Sequence, residues 1–422
     1  MKTLPTLQAK DLPKPSPRWG ASELESLRRT LEQPSLFYWK NGATTHLIKA
    51  FQQHYPLEHV MPVSSGTASI HVAIAAAGVA PGDEVITTPI TDMGTVIGIL
   101  YQQAVPVFAD LEPDSYNLSP VDVEAKITPR TKAILIVHLA GNPSDMDAFR
   151  EIASRHNLIL IEDCAQAWGA NYKGQPVGTM GDLACYSFND FKHIGCGDGG
   201  IVATSDPQIG AKLQRFADKG YDRSGGMRNP EILGLCYRMS ELQAAVAAVQ
   251  VEERMVAIAE TRHRLGDLLC KGLEGIPGIR PHAVRSDNFC SYWFTMFRLE
   301  PCAFTVNRNE FVRMLTEEGL QASAGYIAKP LYQFPVFQNA KFFAGRWPLR
   351  ESGMTTMDYR EVSCPEAEDI LETAIRLEVK QWMTEDYILL AIEAVRVVAE
   401  RCHHSPQNQP FESNTNLEKP CK

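Results

Sequence analysis

Residues 132–167 read KAILIVHLAGNPSDMDAFREIASRHNLILIEDCAQA, and this stretch decides the fold class. It places an apolar run, an amphipathic helix pattern and a second apolar run in immediate succession. The alternation continues outward, through HVAIAAAGV and DEVITTPI before it and through ACYSF and GGIVATSD after it. Strands that alternate with helices are typical of a mostly parallel sheet flanked by helices. The sequence therefore predicts the α/β class.

The chain has 422 residues, which is more than one hydrophobic core usually supports, so two domains are expected. A capping-box pattern from Ser240 to Gln243 opens a long helix, SELQAAVAAVQVEERMVAIAETRHRLGDLL, which is expected to connect them. We predict an N-terminal arm at 1–35, a large domain at 36–250, a smaller C-terminal α+β domain at 251–401 and a flexible tail at 402–422. In the smaller domain, SYWFTMFRLE is predicted to be a half-buried strand and EAEDILETAIRL a helix.

Charge and composition exclude several classes of partner. A formal charge of −9 gives no long-range attraction for nucleic acid or for an anionic membrane. The ten cysteines show no Cys-x-x-Cys pair and no other metal-ligand spacing, so no metal site is expected. The N-terminus lacks an apolar signal region, and no run of about 18 apolar residues occurs. We therefore expect a cytoplasmic protein.

Ligands of an open α/β sheet collect beyond the C-terminal ends of its strands, so polar residues at those ends are candidates for a site. SSGTAS, residues 64–69, leads directly into the helix pattern IHVAIAAAG. Backbone N–H groups at this helix start, with the hydroxyls of Ser65 and Thr67, can cradle a phosphate. Serine and threonine are also ordinary helix N-caps, so the motif alone leaves both interpretations open.

Three further places carry charged side chains. Glu162 and Asp163 end an apolar strand, where a carboxylate can clamp a protonated ring nitrogen, cap a helix or bind a metal. Lys192 follows a strand that exits through Ser187; desolvation there would favour a neutral, nucleophilic amine, although most lysines are solvated surface charges. Arg238 precedes the capping box and suits a carboxylate, a phosphate or a structural salt bridge.

The chain resembles the DegT/StrS family of sugar and aminocyclitol aminotransferases in seven blocks that follow one another in order: SSGTAS, PGDEVI, VFADLEP, HLAGNPSDMDAF, EDCAQAWGA, YSFNDFKHIGCGDGG and YRMSELQAA. The resemblance runs from about Trp39 to about Val398. It implies the type I aminotransferase fold, pyridoxal 5'-phosphate bound in the large domain, and a homodimer with active sites at the subunit interface.

The resemblance also implies roles for individual residues. Lys192 corresponds to the lysine that forms a Schiff base with the cofactor, Asp163 to the partner of the pyridine nitrogen, and Gln166 to the residue near the phenolic oxygen. The expected phosphate contacts are Gly66, Thr67 and Ser187.

Three positions depart from the family pattern. Asp92 stands where the family often has an aromatic side chain against the cofactor ring, and Asn189 stands where many sugar aminotransferases carry histidine. Cys236 replaces an asparagine that in relatives reaches the phosphate of the neighbouring subunit; it is expected to face that phosphate or, alternatively, to be a small buried apolar residue. With Arg238, a candidate for the donor carboxylate, Asp92 and Asn189 are candidate substrate-binding residues.

By this resemblance, the protein moves an amino group from glutamate or glutamine to a keto-sugar, expected to be nucleotide-linked, or to a keto-cyclitol, by a ping-pong reaction. A related sugar dehydratase that uses the same cofactor is one alternative, but such enzymes typically have histidine in place of Lys192. A non-catalytic regulator that binds the cofactor or a sugar is another. The presence of Lys192 and Asp163 favours transamination.

Overall fold

The computed structural model describes residues 14–38, 42–224 and 229–404. Residues 1–13 of the expected N-terminal arm and residues 405–422 of the expected tail lie outside the described residues. In the described part of the chain, no helix combines the length and the apolar character needed to cross a membrane.

The secondary structure alternates along the chain as expected for an α/β protein. The α-helices of the described residues are α1 (Ala21–Leu31), α2 (Ala43–His54), α3 (Gly66–Ala76), α4 (Met93–Tyr101), α5 (Pro120–Ala125), α6 (Met146–His156), α7 (Pro207–Ala217), α8 (Glu241–Val249), α9 (Met255–Leu273), α10 (Arg308–Glu317), α11 (Pro335–Gln338), α12 (Pro348–Glu351), α13 (Pro365–Thr373) and α14 (Glu385–Cys402). The strands are β1 (His59–Val63), β2 (Glu84–Thr87), β3 (Val105–Phe108), β4 (Thr131–Val137), β5 (Ile159–Asp163), β6 (Asn171–Tyr172), β7 (Gln175–Pro176), β8 (Leu183–Ser187), β9 (Gly200–Thr204), β10 (Ile279–Arg280), β11 (Asn288–Phe289), β12 (Phe294–Leu299), β13 (Ala322–Ala324) and β14 (Ala374–Glu378).

The central sheet has seven strands in the order β1-β9-β8-β5-β4-β2-β3. Strand β9 runs antiparallel to β1 and β8, and the remaining neighbours are parallel. Successive side chains of β4 enter different cores: Leu135 packs with residues of α3 and α7, whereas Ile136 packs with residues of α6. The prediction of a mostly parallel sheet flanked by helices is confirmed.

The strand order brings the predicted site residues to one edge of the sheet. Parallel strands β5 and β8 are neighbours, with Asp163 opposite Cys185, so both run out at the same edge. Helix α3 begins at its N-cap Ser65, directly after β1. The ends of three strands thereby meet the start of a helix, as expected for a ligand site in an open α/β sheet.

The predicted long helix is present, but a π-helical turn at Gln250–Arg254 separates α8 from α9. Its capping box is confirmed, because Ser240 Oγ accepts from the Gln243 N–H and Gln243 Oε1 accepts from the Ser240 N–H. At the π-helical turn, Gln250 and Arg254 donate to the buried Glu23 carboxylate at 2.7 and 2.6 Å. These bonds attach α1 to the long helix.

A second, antiparallel sheet of order β10-β12-β14-β13 forms in the C-terminal part of the chain, and β11, β6 and β7 form a small third sheet. The prediction of a half-buried strand is wrong for β12, which is buried on both faces. Phe294 packs towards the central sheet, while Phe297 packs against helices α10 and α14. The helix predicted for EAEDILETAIRL ends at Thr373, because the residues that follow pair with β12 as β14.

Candidate active site

A cavity of about 330 Å³ opens at the C-terminal edge of the central sheet. Its walls come from strand ends, helix starts and two aromatic residues of the C-terminal part. They include Ser65, Gly66, Thr67, Asp92, Thr95, Asp163, Gln166, Ser187, Asn189, Phe191, Lys192, Asp198, Trp293 and Tyr326. Of the nine residues that the sequence singled out for cofactor or substrate binding, the structure brings eight together here; Arg238 is the exception.

Lys192 lies in the loop after β8, and its Nζ is 4.0 Å from the ring centroid of Trp293. Its backbone is held at both ends, because its N–H donates to the Asn189 carbonyl at 2.9 Å and its carbonyl accepts from Arg18 Nη2 at 2.8 Å. Burial lowers the pKa of Lys192 to about 8, against the opposing effect of the Asp163 and Asp92 carboxylates. The structure therefore contradicts a solvated surface lysine and supports a nucleophilic amine.

Asp163 is the last residue of β5 and is only 3% exposed. Its carboxylate accepts from Thr95 Oγ1 at 2.9 Å and from the Ala165 N–H at 3.1 Å. Burial raises the pKa of this carboxyl, although both hydrogen bonds and the charge of Lys192 act in the opposite direction. A cationic partner inside the cavity would favour its ionised form.

The neighbouring carboxylate of Glu162 points away from the cavity. It accepts from His138 Nε2 at 3.0 Å, from the Gly178 N–H at 2.6 Å and from the Met180 N–H at 2.9 Å. His138, Glu162 and Cys164 lie close enough to hold a metal ion, but N–H donors already contact both carboxylate oxygens of Glu162. Its surroundings are those of a structural carboxylate.

The predicted phosphate cradle lies at the start of α3. Ser65 Oγ caps the helix by accepting from the Ala68 N–H at 3.0 Å. A Cβ added at Gly66 would lie 2.7 Å from Ser187 Cβ, so the helix start approaches β8 as closely as only glycine permits. Both interpretations of SSGTAS, as N-cap and as phosphate cradle, are compatible with this geometry.

Gln166 connects the cavity to the C-terminal part of the chain. Its Oε1 accepts from the Ala140 N–H at 2.8 Å, and its Nε2 donates to Tyr326 Oη at 3.3 Å. Tyr326 stacks on Phe294 with ring centroids 5.0 Å apart. The amide is thus held in one orientation by residues from both sides of the cavity.

The three positions that depart from the family pattern have different surroundings. Asp92 lines the cavity and caps α4, with its Oδ1 accepting from the Gly94 N–H at 2.8 Å. Asn189 also lines the cavity and donates to Asp198 Oδ1 at 3.2 Å. Cys236 is exposed, so the interpretation of this residue as small and buried is wrong. Its backbone pairs with that of the buried Asp218 in an isolated β-bridge.

Arg238 does not line this cavity of its own chain. Its guanidinium forms an ion pair with the buried Asp218 carboxylate, which also accepts from Arg223 and from Tyr38 Oη. The structural salt bridge, which the sequence left open as an alternative, is therefore what the described residues contain.

Sequence reasoning missed Trp293 and Tyr326. Trp293 directly precedes β12 and donates from Nε1 to the Phe191 carbonyl at 2.7 Å, next to Lys192. Tyr326 follows β13 by two residues. Trp293 stands before the start of its strand and the smaller sheet is antiparallel, so the criterion of C-terminal strand ends gave no signal for it.

Comparisons with known proteins identify the family of the chain. The model of the DegT/DnrJ/EryC1/StrS aminotransferase family matches residues 20–396. A protein of Streptoalloteichus tenebrarius, described as an L-glutamine:3-amino-2,3-dideoxy-scyllo-inosose aminotransferase, is 35% identical over 345 residues, covering 79% of this chain and 80% of the relative. GDP-perosamine synthase of Caulobacter vibrioides is 34% identical over 299 residues, covering 68% and 77%.

Among solved structures, the crystal structure of S. venezuelae DesV in complex with a ketimine intermediate superposes with a TM-score of 0.77 and 30% identity, covering 90% of this chain and 94% of that chain. The sequence match, the shared fold and the cavity around Lys192 lead to one conclusion. The chain belongs to the DegT/DnrJ/EryC1/StrS aminotransferase family and is an aminotransferase with the α/β fold of its relatives.

Proposed function

We propose that the protein uses pyridoxal 5'-phosphate to move an amino group from glutamate or glutamine to a keto-sugar or keto-cyclitol. The observation that carries this proposal is the placement of Lys192 and Asp163 in one cavity. With its pKa lowered to about 8, Lys192 is neutral, and hence nucleophilic, in a far larger fraction of molecules near neutral pH than an ordinary lysine is. The names of the relatives support an amino sugar or aminocyclitol as product.

The residues present fit this cofactor. The helix start at Gly66 and Thr67, with the Ser187 hydroxyl, would hold its phosphate through N–H and O–H donors. Asp163 would pair with the protonated ring nitrogen, and this charge would keep the buried carboxylate ionised. Gln166 would lie beside the phenolic oxygen, oriented by its bond with Tyr326.

When bound, pyridoxal phosphate supplies a sink for the electron pair released when a C–H bond next to an amine breaks. Lys192 would take the proton from the α-carbon of the donor and return a proton in the opposite half-reaction. The donor would leave as its 2-oxo acid before the acceptor binds. The amino group would therefore remain bound in the active site between the two half-reactions. Trp293 would limit the positions open to the Lys192 amine, since its ring faces Nζ at 4.0 Å.

The acceptor is proposed from the relatives. One relative is named for an amino-dideoxy-inosose with glutamine as donor, and another for a GDP-linked amino sugar. A keto-cyclitol and a nucleotide-linked keto-sugar are therefore the two acceptor classes to be tested. Asp92 and Asn189 line the cavity and are the proposed contacts for the acceptor hydroxyls.

We also propose a homodimer whose large domain, residues 36–250, holds the cofactor. The smaller domain, residues 251–401, would close the cavity with Trp293 and Tyr326. Cys236 and Arg238 would meet the neighbouring subunit, and the exposure of Cys236 supports this.

Borohydride reduction of the purified protein tests the assignment. The cofactor is expected on the peptide that contains Lys192, and a label on another lysine would overturn the proposal. In parallel, the protein is incubated with L-glutamate or L-glutamine and a panel of keto-cyclitols and nucleotide-linked keto-sugars, and the products are identified by mass spectrometry. A protein that forms a 2-oxo acid from neither donor with any acceptor, and that does not convert its bound cofactor, would contradict the proposed transamination.

A further inference from the structure

A group of four cations lies beyond the aromatic wall of the cavity. This group, here called the basic cluster, consists of Arg18, Arg262, Arg376 and Lys380. Arg376 and Lys380 form ion pairs with the Glu378 carboxylate. Arg262 interacts electrostatically with Arg18, Glu378 and Lys380. Arg376 and Glu378 are on β14, and Arg262 is on the long helix α9. Nothing in the reaction described above uses these side chains.

Arg376 connects the basic cluster to the cavity. Its guanidinium carbon lies 4.7 Å from the ring centroid of Phe294 and 6.0 Å from that of Tyr326, which lines the cavity. Tyr326 in turn contacts Trp293, with ring centroids 5.9 Å apart, and Trp293 faces Lys192. Aromatic rings therefore lead without interruption from the reactive amine to a guanidinium group.

The hydrogen-bonding capacity of Arg376 is not exhausted. Its Nη2 pairs with Glu378, while its Nε is buried and has no hydrogen-bond partner among the described residues. Its side chain is 23% exposed and that of Lys380 is 19% exposed, so both can be reached from outside the protein. A planar guanidinium with an unpaired donor suits a carboxylate or a phosphate.

The basic cluster also carries excess positive charge. Lys380 Nζ lies 2.6 Å from Glu378 Oε2, so Arg376 and Lys380 share one carboxylate. Arg18 pairs with Asp190 at 3.6 Å, but Arg262 donates to the neutral Gln381 and to the Trp293 carbonyl. Four cations thus face two carboxylates. Burial and the charge of Arg18 lower the pKa of Arg262 to about 9, and burial and Arg262 lower that of Lys380, as expected where positive charge is undercompensated.

The lining of the cavity itself shows the opposite imbalance. It contains three carboxylates, Asp92, Asp163 and Asp198, against the single cation Lys192 among the described residues. Asp163 is assigned to the ring nitrogen of the cofactor, whereas Asp92 and Asp198 have no such partner. A substrate anion beside these two carboxylates would be repelled, and it would find positive charge just beyond Tyr326. The two regions together would orient a substrate with its reacting carbon at Lys192 and its anionic end outward.

We propose that Arg376, supported by Lys380, is an oxyanion subsite that binds a carboxylate or phosphate group of the substrate whose amino or keto carbon lies at Lys192. This proposal rests on the proposed function for the identity of the reaction. The shared chemistry has two possible sources, the carboxylate of the amino donor and the diphosphate of a nucleotide-linked acceptor. Two probes separate them: 2-oxoglutarate for the carboxylate and UDP for the diphosphate.

The test is calorimetric binding of each probe to the cofactor-loaded protein, its Arg376→Gln variant and a control variant. Glu378 keeps Lys380 as its partner in Arg376→Gln, so this variant is expected to fold. Arg360→Gln is the matched control, because Arg360 also pairs with a carboxylate, Asp358, but is exposed and does not line the cavity. Lys380→Met is a second variant, which keeps the test informative if Arg376→Gln does not fold.

Arg376→Gln is expected to lower the affinity for at least one probe by about tenfold or more. Lys380→Met should lower the affinity for the same probe by a smaller factor. Arg360→Gln should bind both probes with the affinity of the wild type. Weaker binding of 2-oxoglutarate alone assigns the subsite to the donor, and weaker binding of UDP alone assigns it to the acceptor. Unchanged binding of both probes to both variants would overturn the proposal. Because binding is measured without turnover, a wild-type protein that binds a probe but transfers no amino group would contradict the proposed function and not the subsite.

Discussion

Glu162 and Asp163 are neighbours at the end of β5, yet their carboxylates lie in opposite surroundings. Glu162 faces away from the cavity and accepts from His138 and from three backbone N–H groups. Asp163 faces the cavity, near Lys192, and accepts from Thr95 and Ala165. Adjacent strand residues point to opposite faces of a sheet, so one step along the chain separates a carboxylate that stabilises the fold from one that is available for chemistry.

The largest expected effect is on turnover, from a substitution in the cavity that Asp163 faces. Lys192→Ala should lower turnover with L-glutamate by about a thousandfold or more, since it removes both the nucleophile and the proton carrier. The unfolding free energy of the cofactor-free protein at neutral pH should not fall by more than about 1 kcal/mol, because the variant also removes a buried amine whose desolvation opposes folding and which forms no ion pair among the described residues. Steady-state kinetics and urea unfolding check this, with the exposed Lys341→Ala as control. Activity within tenfold of wild type would remove Lys192 from its assigned role.

On the other side of the strand, Glu162→Gln should destabilise the fold by about 3 to 5 kcal/mol, because an amide nitrogen would then face N–H donors in a buried site. Urea unfolding of the cofactor-free protein measures this loss. Glu151→Gln, on an exposed helix surface, should stay within about 0.5 kcal/mol of wild type. If Glu162→Gln and Glu151→Gln have the same unfolding free energy, Glu162 is not a carboxylate that stabilises the fold.

Asp163→Asn should show the reverse pattern, with impaired chemistry and a retained fold. Loss of one charge-assisted interaction with the ring nitrogen corresponds to about 2 to 4 kcal/mol of barrier, which is about 30- to 1000-fold in turnover. Because burial raises the pKa of this carboxyl, a neutral amide is no less favourable here in the cofactor-free protein. Single-turnover kinetics with L-glutamate and thermal unfolding test both parts. Near-normal turnover would show that the ring nitrogen binds elsewhere.

The pH dependence of stability tests whether the Lys192 amine is buried in the cavity. Its pKa of about 8 in the folded protein lies below the value of about 10.4 expected in the unfolded chain. The folded state therefore binds fewer protons between these values, and stability should rise from about pH 8 to about pH 10.4 by up to about 3 kcal/mol. Urea unfolding of cofactor-free wild type and Lys192→Met across this range isolates the contribution as a difference. A pH-independent difference between the two proteins would contradict the buried amine.

The smallest expected effect concerns Cys236. If Cys236 faces the cofactor phosphate of the neighbouring subunit, Cys236→Asn should tighten cofactor binding by about tenfold or more, since an amide is a better donor than a thiol. Because Cys236 is exposed, the cofactor-free protein should unfold at an unchanged temperature. Equilibrium titration with pyridoxal phosphate and thermal unfolding measure the two quantities. Unchanged affinity would place Cys236 outside any cofactor contact between subunits.

Local patterns predicted much of the fold, including the alternation of strands and helices, the capping box at Ser240 and the helix start at Gly66. The failures came from contacts between distant segments. The strand β12 is buried on both faces because the central sheet covers one of them. For Arg238 the sequence left a carboxylate, a phosphate and a salt bridge open, and its ion pair with Asp218 joins residues 20 positions apart.

The sequence by itself determined the α/β class and the candidate residues at the strand ends, Lys192 and Asp163 among them, because strand-end chemistry is encoded within a few neighbouring residues. Only the tertiary structure decided that Trp293 and Tyr326 close the cavity, that Glu162 is saturated by hydrogen bonds, and that Arg376 lies behind the aromatic wall. These contacts join residues from separate sheets, and their geometry depends on how the two sheets pack, which composition and periodicity along the chain do not specify.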